Sequence, residues 1–191
     1  DVINFLKVNR TFQDNPFDEL KNEQIHVYDK DQDGILAVIV EIADFVHQYP
    51  DKFLVGEVGS EDLAILKQYS GLNLLDVVFN FNIGSIENFD VEKLYQQVVE
   101  TENVYDQSQI PTLFFSSHDM SRHFSRFGGD EDRAKLVAAF MLSAKGVPFI
   151  YQGDEIGMRD WLCDDISKMK DVQGITHYQL ALQAGKTQEE A

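Results

Sequence analysis

The sequence predicts an α/β fold built on a parallel sheet, on three grounds. Short apolar runs alternate with helical patterns of ten or more residues, which is the rhythm of βαβ units. These runs are apolar throughout rather than alternating, as strands buried on both faces require. The composition is globular: 43% of the 191 residues are apolar and 14 are Phe, too hydrophobic for a disordered chain and long enough for one sizeable core.

Each element follows in order. Residues 9–34 are polar with little periodicity and read as loop. From Ile35, the residues Leu36, Val38, Ile39, Ile42, Phe45 and Val46 recur at helical spacing until Tyr49-Pro50 stops them. Asp33 is placed to cap that helix. Phe53-Leu54-Val55, closed by Gly56, is a first strand, and a helix over 61–69 puts Leu63, Leu66 and Tyr69 on one face. Leu74 to Phe81 is a second strand, rich in Val and Phe, followed by a helix from Val91 to Val99. Pro111 to Phe115 is a third strand, Asp132 to Ala144 an apolar helix, and Val147 to Tyr151 a fourth strand after Gly146. The four strands, near 53–57, 75–81, 111–116 and 147–151, are expected to pair in parallel. An eight-stranded (β/α) barrel takes about 250 residues, so the chain holds about half of one, or a small open sheet.

Charge removes several classes of function. With 33 acidic against 16 basic residues and a net charge of -17, the chain lacks the Lys/Arg clusters that nucleic-acid phosphates or an anionic membrane demand. No apolar run approaches the roughly 18 residues of a spanning helix, and no basic, then apolar leader opens the sequence. Cys163 is the only cysteine, which excludes an intrachain disulfide and suits a reducing compartment, so the cytoplasm is the expected location. The chain opens on Asp1-Val2-Ile3-Asn4 without an initiator Met and is expected to be part of a longer protein.

In parallel α/β folds the ligand site lies at the carboxyl ends of the strands. That rule selects Gly56-Glu57 after the first strand, Ser116 to Asp119 after the third, and Tyr151-Gln152-Gly153-Asp154-Glu155 after the fourth. Asp1 stands directly ahead of the apolar Val2-Ile3. Most carboxylates in so acidic a chain are solvated surface, and Glu57 has a plain structural reading as the cap of the next helix. Position at strand ends is what singles out Glu57 and Asp119. One protonated and one ionised carboxyl is the pair that glycoside hydrolysis uses.

Four segments carry a family resemblance. Asp1-Val2-Ile3-Asn4, Phe53-Leu54-Val55-Gly56-Glu57-Val58, Ser117-His118-Asp119-Met120-Ser121-Arg122 and the run from Val147 to Met158, VPFIYQGDEIGM, resemble the ordered landmarks of glycoside hydrolase family 13, the α-amylase family. The match is strongest to its α-glucosidase and oligo-1,6-glucosidase branch, and it extends over nearly the whole chain. The resemblance implies a (β/α)8 TIM-barrel catalytic domain, present here in part as strands 5–8 with their helices, so that residues 1–191 form its C-terminal half. It implies retaining hydrolysis of α-glucosidic bonds in short oligosaccharides. Asp1 then matches the nucleophile, Glu57 the general acid/base and Asp119 the transition-state stabiliser, while His118 and Arg122 match substrate-site residues. One departure is Ser117, where the family usually has Asn. Aromatics such as Phe81 or Tyr151 are expected to stack on pyranose faces. The chain by itself is expected to be inactive and to self-associate through the exposed face of the half-barrel.

Other readings fare worse. Asp29-Lys30-Asp31-Gln32-Asp33-Gly34 resembles the start of a calcium-binding loop through Asp29, Asp31 and Asp33. Position 12 of that loop is Val40 rather than the required Glu, and no amphipathic helix precedes it, so no cofactor is expected. His118-Asp119 with His123 suggests a metal-dependent phosphohydrolase, but histidines five apart do not share a helix face as an i, i+4 zinc pair does. Ser117, His118 and Asp119 are consecutive and cannot form a Ser-His-Asp triad. The rival from another class is a non-catalytic relative of the α-amylase family, a binding or transporter-associated protein that keeps the fold and lacks the catalytic acids.

Overall fold

Within the stretch that reads as loop, the computed structural model, which describes residues 2–19 and 23–190, has a short antiparallel ladder. Strand β1 (Phe17–Asp18) pairs with β2 (Glu23–Gln24), Phe17 opposite Gln24. Two residues a side give too little apolar alternation to be read from sequence. Helix α1 (Ile35–His47) follows, with Ile35, Ile39 and Ala43 buried at i, i+4 and i+8. Its N-cap is Gly34 at φ 81°, with no side-chain cap, so Asp33 does not cap the helix as expected. The left-handed turn at Gly34 turns the chain into the helix without a side-chain acceptor.

The strands lie where the apolar runs predict, but their ladders are shorter. Strand β3 (Val55–Gly56) pairs in parallel with β4 (Val77–Val78), and β5 (Thr112–Leu113) pairs in parallel with β6 (Val147–Pro148). Among the described residues the four strands form two parallel pairs rather than one continuous sheet, which corrects the single sheet expected. Side chains bridge the break. Thr112 Oγ1 accepts from the Asn80 amide at 2.9 Å and donates to the Val78 carbonyl at 3.1 Å. A β-branched Thr thus supplies across the β4–β5 seam the hydrogen bonds a backbone ladder would supply. Val77, Val78, Thr112 and Leu113 are all buried, whereas Val55 and Pro148 on the outer strands are exposed. Beyond β3, Val2 forms a parallel bridge with Glu57, and the Ile3 amide donates to the Glu57 carbonyl at 2.8 Å.

The helices pack by their apolar stripes. α2 (Leu63–Tyr69) buries Leu63, Leu66 and Tyr69 against Ile35 and Ile39 of α1 and against Leu75 and Val78. A second core joins Ile83 of α3 (Phe81–Gly84), Leu113, Phe115 and Phe127 to Val137 and Met141 of α6 (Glu131–Ser143). α4 (Val91–Val104) runs five residues past its expected end, and the short α5 (His123–Arg126) follows the third strand. Acidic residues find structural use at helix starts: Asp62, Asp90 and Asp130 each accept backbone amides as N-caps. The backbone divides into two compact units, one ending at Met158 and the other beginning at Arg159. The second contains α7 (Val172–Gln183), capped by Asp171. Among the described residues no helix is long and apolar enough to cross a membrane.

Candidate active site

The carboxyl ends of β3, β4, β5 and β6 converge on one cavity of about 180 Å³. Its floor is aromatic. Phe79 packs edge-to-face with Phe114 (centroids 5.1 Å apart) and with Phe149 (4.8 Å), and Phe81 meets Phe114 at 5.2 Å. Phe79, Phe114 and Phe149 come from the ends of three strands and Phe81 opens α3; the Phe79 amide donates to Gly56 and the Phe149 amide to Leu113, at 2.9 and 2.8 Å. Its polar wall carries Glu57, Ser116, Ser117, His118, Asp119 and Tyr151. An apolar floor with a few converging polar groups is the usual form of a small-molecule site.

Glu57 and Asp119 thus line one cavity, arriving from different strands 62 positions apart in number. Glu57 does not cap α2, a task that belongs to Asp62, whose carboxylate accepts the Ala64 amide at 2.8 Å. Asp119 sits in a tight turn: its amide donates to Ser117 Oγ at 3.1 Å, and Ser117 bridges to Met120. The hydroxyl of Ser117 therefore shapes the turn at the position where the family usually has Asn. Asp119 and His118 are exposed, with His118 Nε2 3.2 Å from Asp119 Oδ2. Arg122 lies just past this turn. Its guanidinium is 4.9 Å from the Tyr151 ring centroid and donates to the Gln152 carbonyl at 2.7 Å, so its side chain ties the third strand's loop to the fourth's. Asp1 lies outside the described residues, and its neighbour Val2 is bridged to Glu57.

The Asp-rich loop has protein partners. Asp29 is 3.0 Å from His26 Nδ1, and Asp31 accepts from Tyr69 Oη at 2.5 Å and from Asn4 Nδ2 at 3.3 Å. Burial and the neighbouring Asp31 carboxylate push the Tyr69 phenol upward from its ordinary pKa. Among the described residues no group of three or more His, Cys, Asp or Glu is arranged to hold a metal.

Beneath the cavity wall lies a buried cluster that the sequence does not announce. Ser116 Oγ is 3.0 Å from His123 Nδ1, and the same nitrogen is 3.5 Å from Asp154 Oδ1. Arg122 Nη1 is 3.8 Å from that carboxylate. Asp154 is visible in sequence only as one carboxylate in a strand-end run, and His123 only as a partner for His118. The separation of Ser116, His123 and Asp154 along the chain hides their meeting.

Comparison with known proteins points to one family of enzymes. The Bacillus subtilis protein "Probable oligo-1,6-glucosidase 2" is 32% identical over 188 residues, covering 90% of this chain and 32% of its own length. A solved trehalose-6-phosphate hydrolase of Bacillus licheniformis superposes on 98% of the chain with a TM-score of 0.80 and 29% identity, and an alpha-glucosyl transfer enzyme on 92% with a TM-score of 0.80 and 25% identity. The chain spans 36% of each of those two structures. The fold is therefore part of the TIM barrel of these enzymes, and it is not a closed barrel. The model of the family "Alpha amylase, catalytic domain" matches residues 1–187, and the chain belongs to the α-amylase family, in its α-glucosidase branch.

Proposed function

We propose that the protein containing this chain is a retaining glycoside hydrolase acting on α-glucosidic bonds of short oligosaccharides, with residues 1–191 as the C-terminal half of its (β/α)8 catalytic domain. The observation that carries the reading is the shared cavity of Glu57 and Asp119, floored by phenylalanines. A sugar ring offers apolar C–H faces to such a floor and hydroxyls to such a wall. The relatives in the oligo-1,6-glucosidase branch support the same chemistry.

In this reading the Asp1 carboxylate attacks the anomeric carbon as Glu57 gives its proton to the departing glycosidic oxygen. A covalent glucosyl ester on Asp1 results. Glu57, now a carboxylate, takes a proton from water, whose oxygen attacks the same carbon and frees Asp1. The bridge between Val2 and Glu57 supports this pairing, because it sets the residue after Asp1 beside the proton donor. Asp119 and His118 hold the sugar hydroxyls, and Arg122 braces the wall at Tyr151. No cofactor takes part. In the intact protein Glu57→Gln keeps the shape and removes the transferable proton, so kcat on a maltooligosaccharide should fall about 100- to 10,000-fold. Unchanged turnover would refute the assignment.

A further inference from the structure

The buried cluster behind the cavity wall has a carboxylate at its centre. The Asp154 side chain is 7% exposed, and neither of its oxygens accepts a hydrogen bond among the described residues. Its close polar neighbours are His123 Nδ1 at 3.5 Å and Arg122 Nη1 at 3.8 Å. A buried carboxylate without amide or hydroxyl donors depends on such neighbours, and they in turn are oriented by its charge. Both neighbours lead to the cavity. His123 meets Ser116, which lines it, through the ring at 3.0 Å and through its own amide at 3.0 Å. Arg122 follows directly on the turn that bears Asp119, lies over Tyr151 and donates to the Gln152 carbonyl.

The backbone is shaped for this approach. Gly153 adopts φ 94°, and a Cβ there would stand 3.0 Å from Arg122 Nη1 and 2.9 Å from Met158 Cβ. Only glycine lets the loop that carries Asp154 come so close to the arginine. The Gly153 amide donates to Glu155 Oε2 at 2.8 Å, which fixes the turn from the other side.

We propose that Asp154 is the positioning residue of the Asp119 turn. Its charge holds Arg122 and His123, and through them it fixes residues 117–122 against Tyr151 and Gln152. Its effect on turnover rests on the glycosidase reading above, whereas its effect on the turn does not. Both are tested in the intact protein with Asp154→Asn, which keeps the volume and removes the charge. Backbone amides of 117–122 should exchange with solvent at least tenfold faster, while those of Val77 and Val78 stay as slow as before. Turnover of p-nitrophenyl α-glucoside should fall about 100-fold in kcat with KM within threefold, the loss expected when a reacting group is misplaced by about 1 Å. Asp76→Asn is the control. It removes a carboxylate 3.2 Å from His47 at the opposite ends of the strands, and both readouts should remain unchanged. Unaltered exchange in 117–122 would overturn the proposal, as would acceleration spread equally to Val77 and Val78, which would mark Asp154 as general scaffold. If the unmodified protein cleaves no glucoside, the glycosidase reading fails and the exchange comparison alone decides the role of Asp154.

Discussion

Thr112→Val is the sharpest perturbation of the fold. The side chain is fully buried, and its hydroxyl both accepts from the Asn80 amide and donates to the Val78 carbonyl. Valine has nearly the same shape and the better strand propensity, so shape and propensity alone predict no loss. The hydrogen bonds predict otherwise. Leaving a buried donor or acceptor unsatisfied costs about 1–3 kcal/mol each, and the added methyl returns about 1 kcal/mol. The net loss should be about 1–5 kcal/mol, read as a lower urea midpoint at unchanged slope. The Asn80 amide should lose its protection against exchange. Thr112→Ser keeps the hydroxyl and gives up a methyl, so it should lose only about 1 kcal/mol. A Val variant as stable as the native protein, or more stable than the Ser variant, would refute the role given to this hydroxyl at the β4–β5 seam.

Further outcomes follow from the same contacts. Gly84→Ala places a Cβ 2.6 Å from the Phe114 ring; thermal unfolding should show a loss of about 1–3 kcal/mol from overpacking. Burial pushes the Tyr105 phenol up to about 12 from its usual 10, so its contribution to stability is full below pH 10 and is lost as pH rises from 10 through 12; a melting temperature flat across that window would contradict this. The 191-residue chain alone, with Val55 and Ile150 exposed at the strand ends, should release no glucose and should sediment above its 21.8 kDa monomer mass; a strictly monomeric profile would contradict the open apolar face.

Sequence pattern located all four strands, because runs such as Val77-Val78 and Thr112-Leu113 are apolar enough to be buried on both faces. It overstated their length, since Phe81 belongs to α3 and Asn80 caps that helix by accepting the Asn82 amide. Side-chain hydrogen bonding competes with strand pairing at such a position, and periodicity does not register it. The apolar stripe of α1 was legible, but its breadth misled: Ile42 and Phe45 fit the helical period and are exposed. The strand-end rule brought Glu57, His118 and Asp119 to one cavity. It picked out Ser116 and Asp154 but not His123, nor the meeting of the three, which comes only through packing of separate loops. The end of the structural unit at Met158 leaves no mark in composition.

The proposed reaction passes through a covalent glucosyl ester on one carboxylate. It is tested most directly by treating the intact protein with a mechanism-based fluoroglucoside, which forms a slowly hydrolysed ester with the attacking group, and mapping the adduct by mass spectrometry. One glucosyl adduct is expected, on Asp1, and competing maltooligosaccharide should prevent it. An adduct on another carboxylate would contradict the assignment of Asp1, and no adduct in a protein that still binds the sugar would favour a non-catalytic relative.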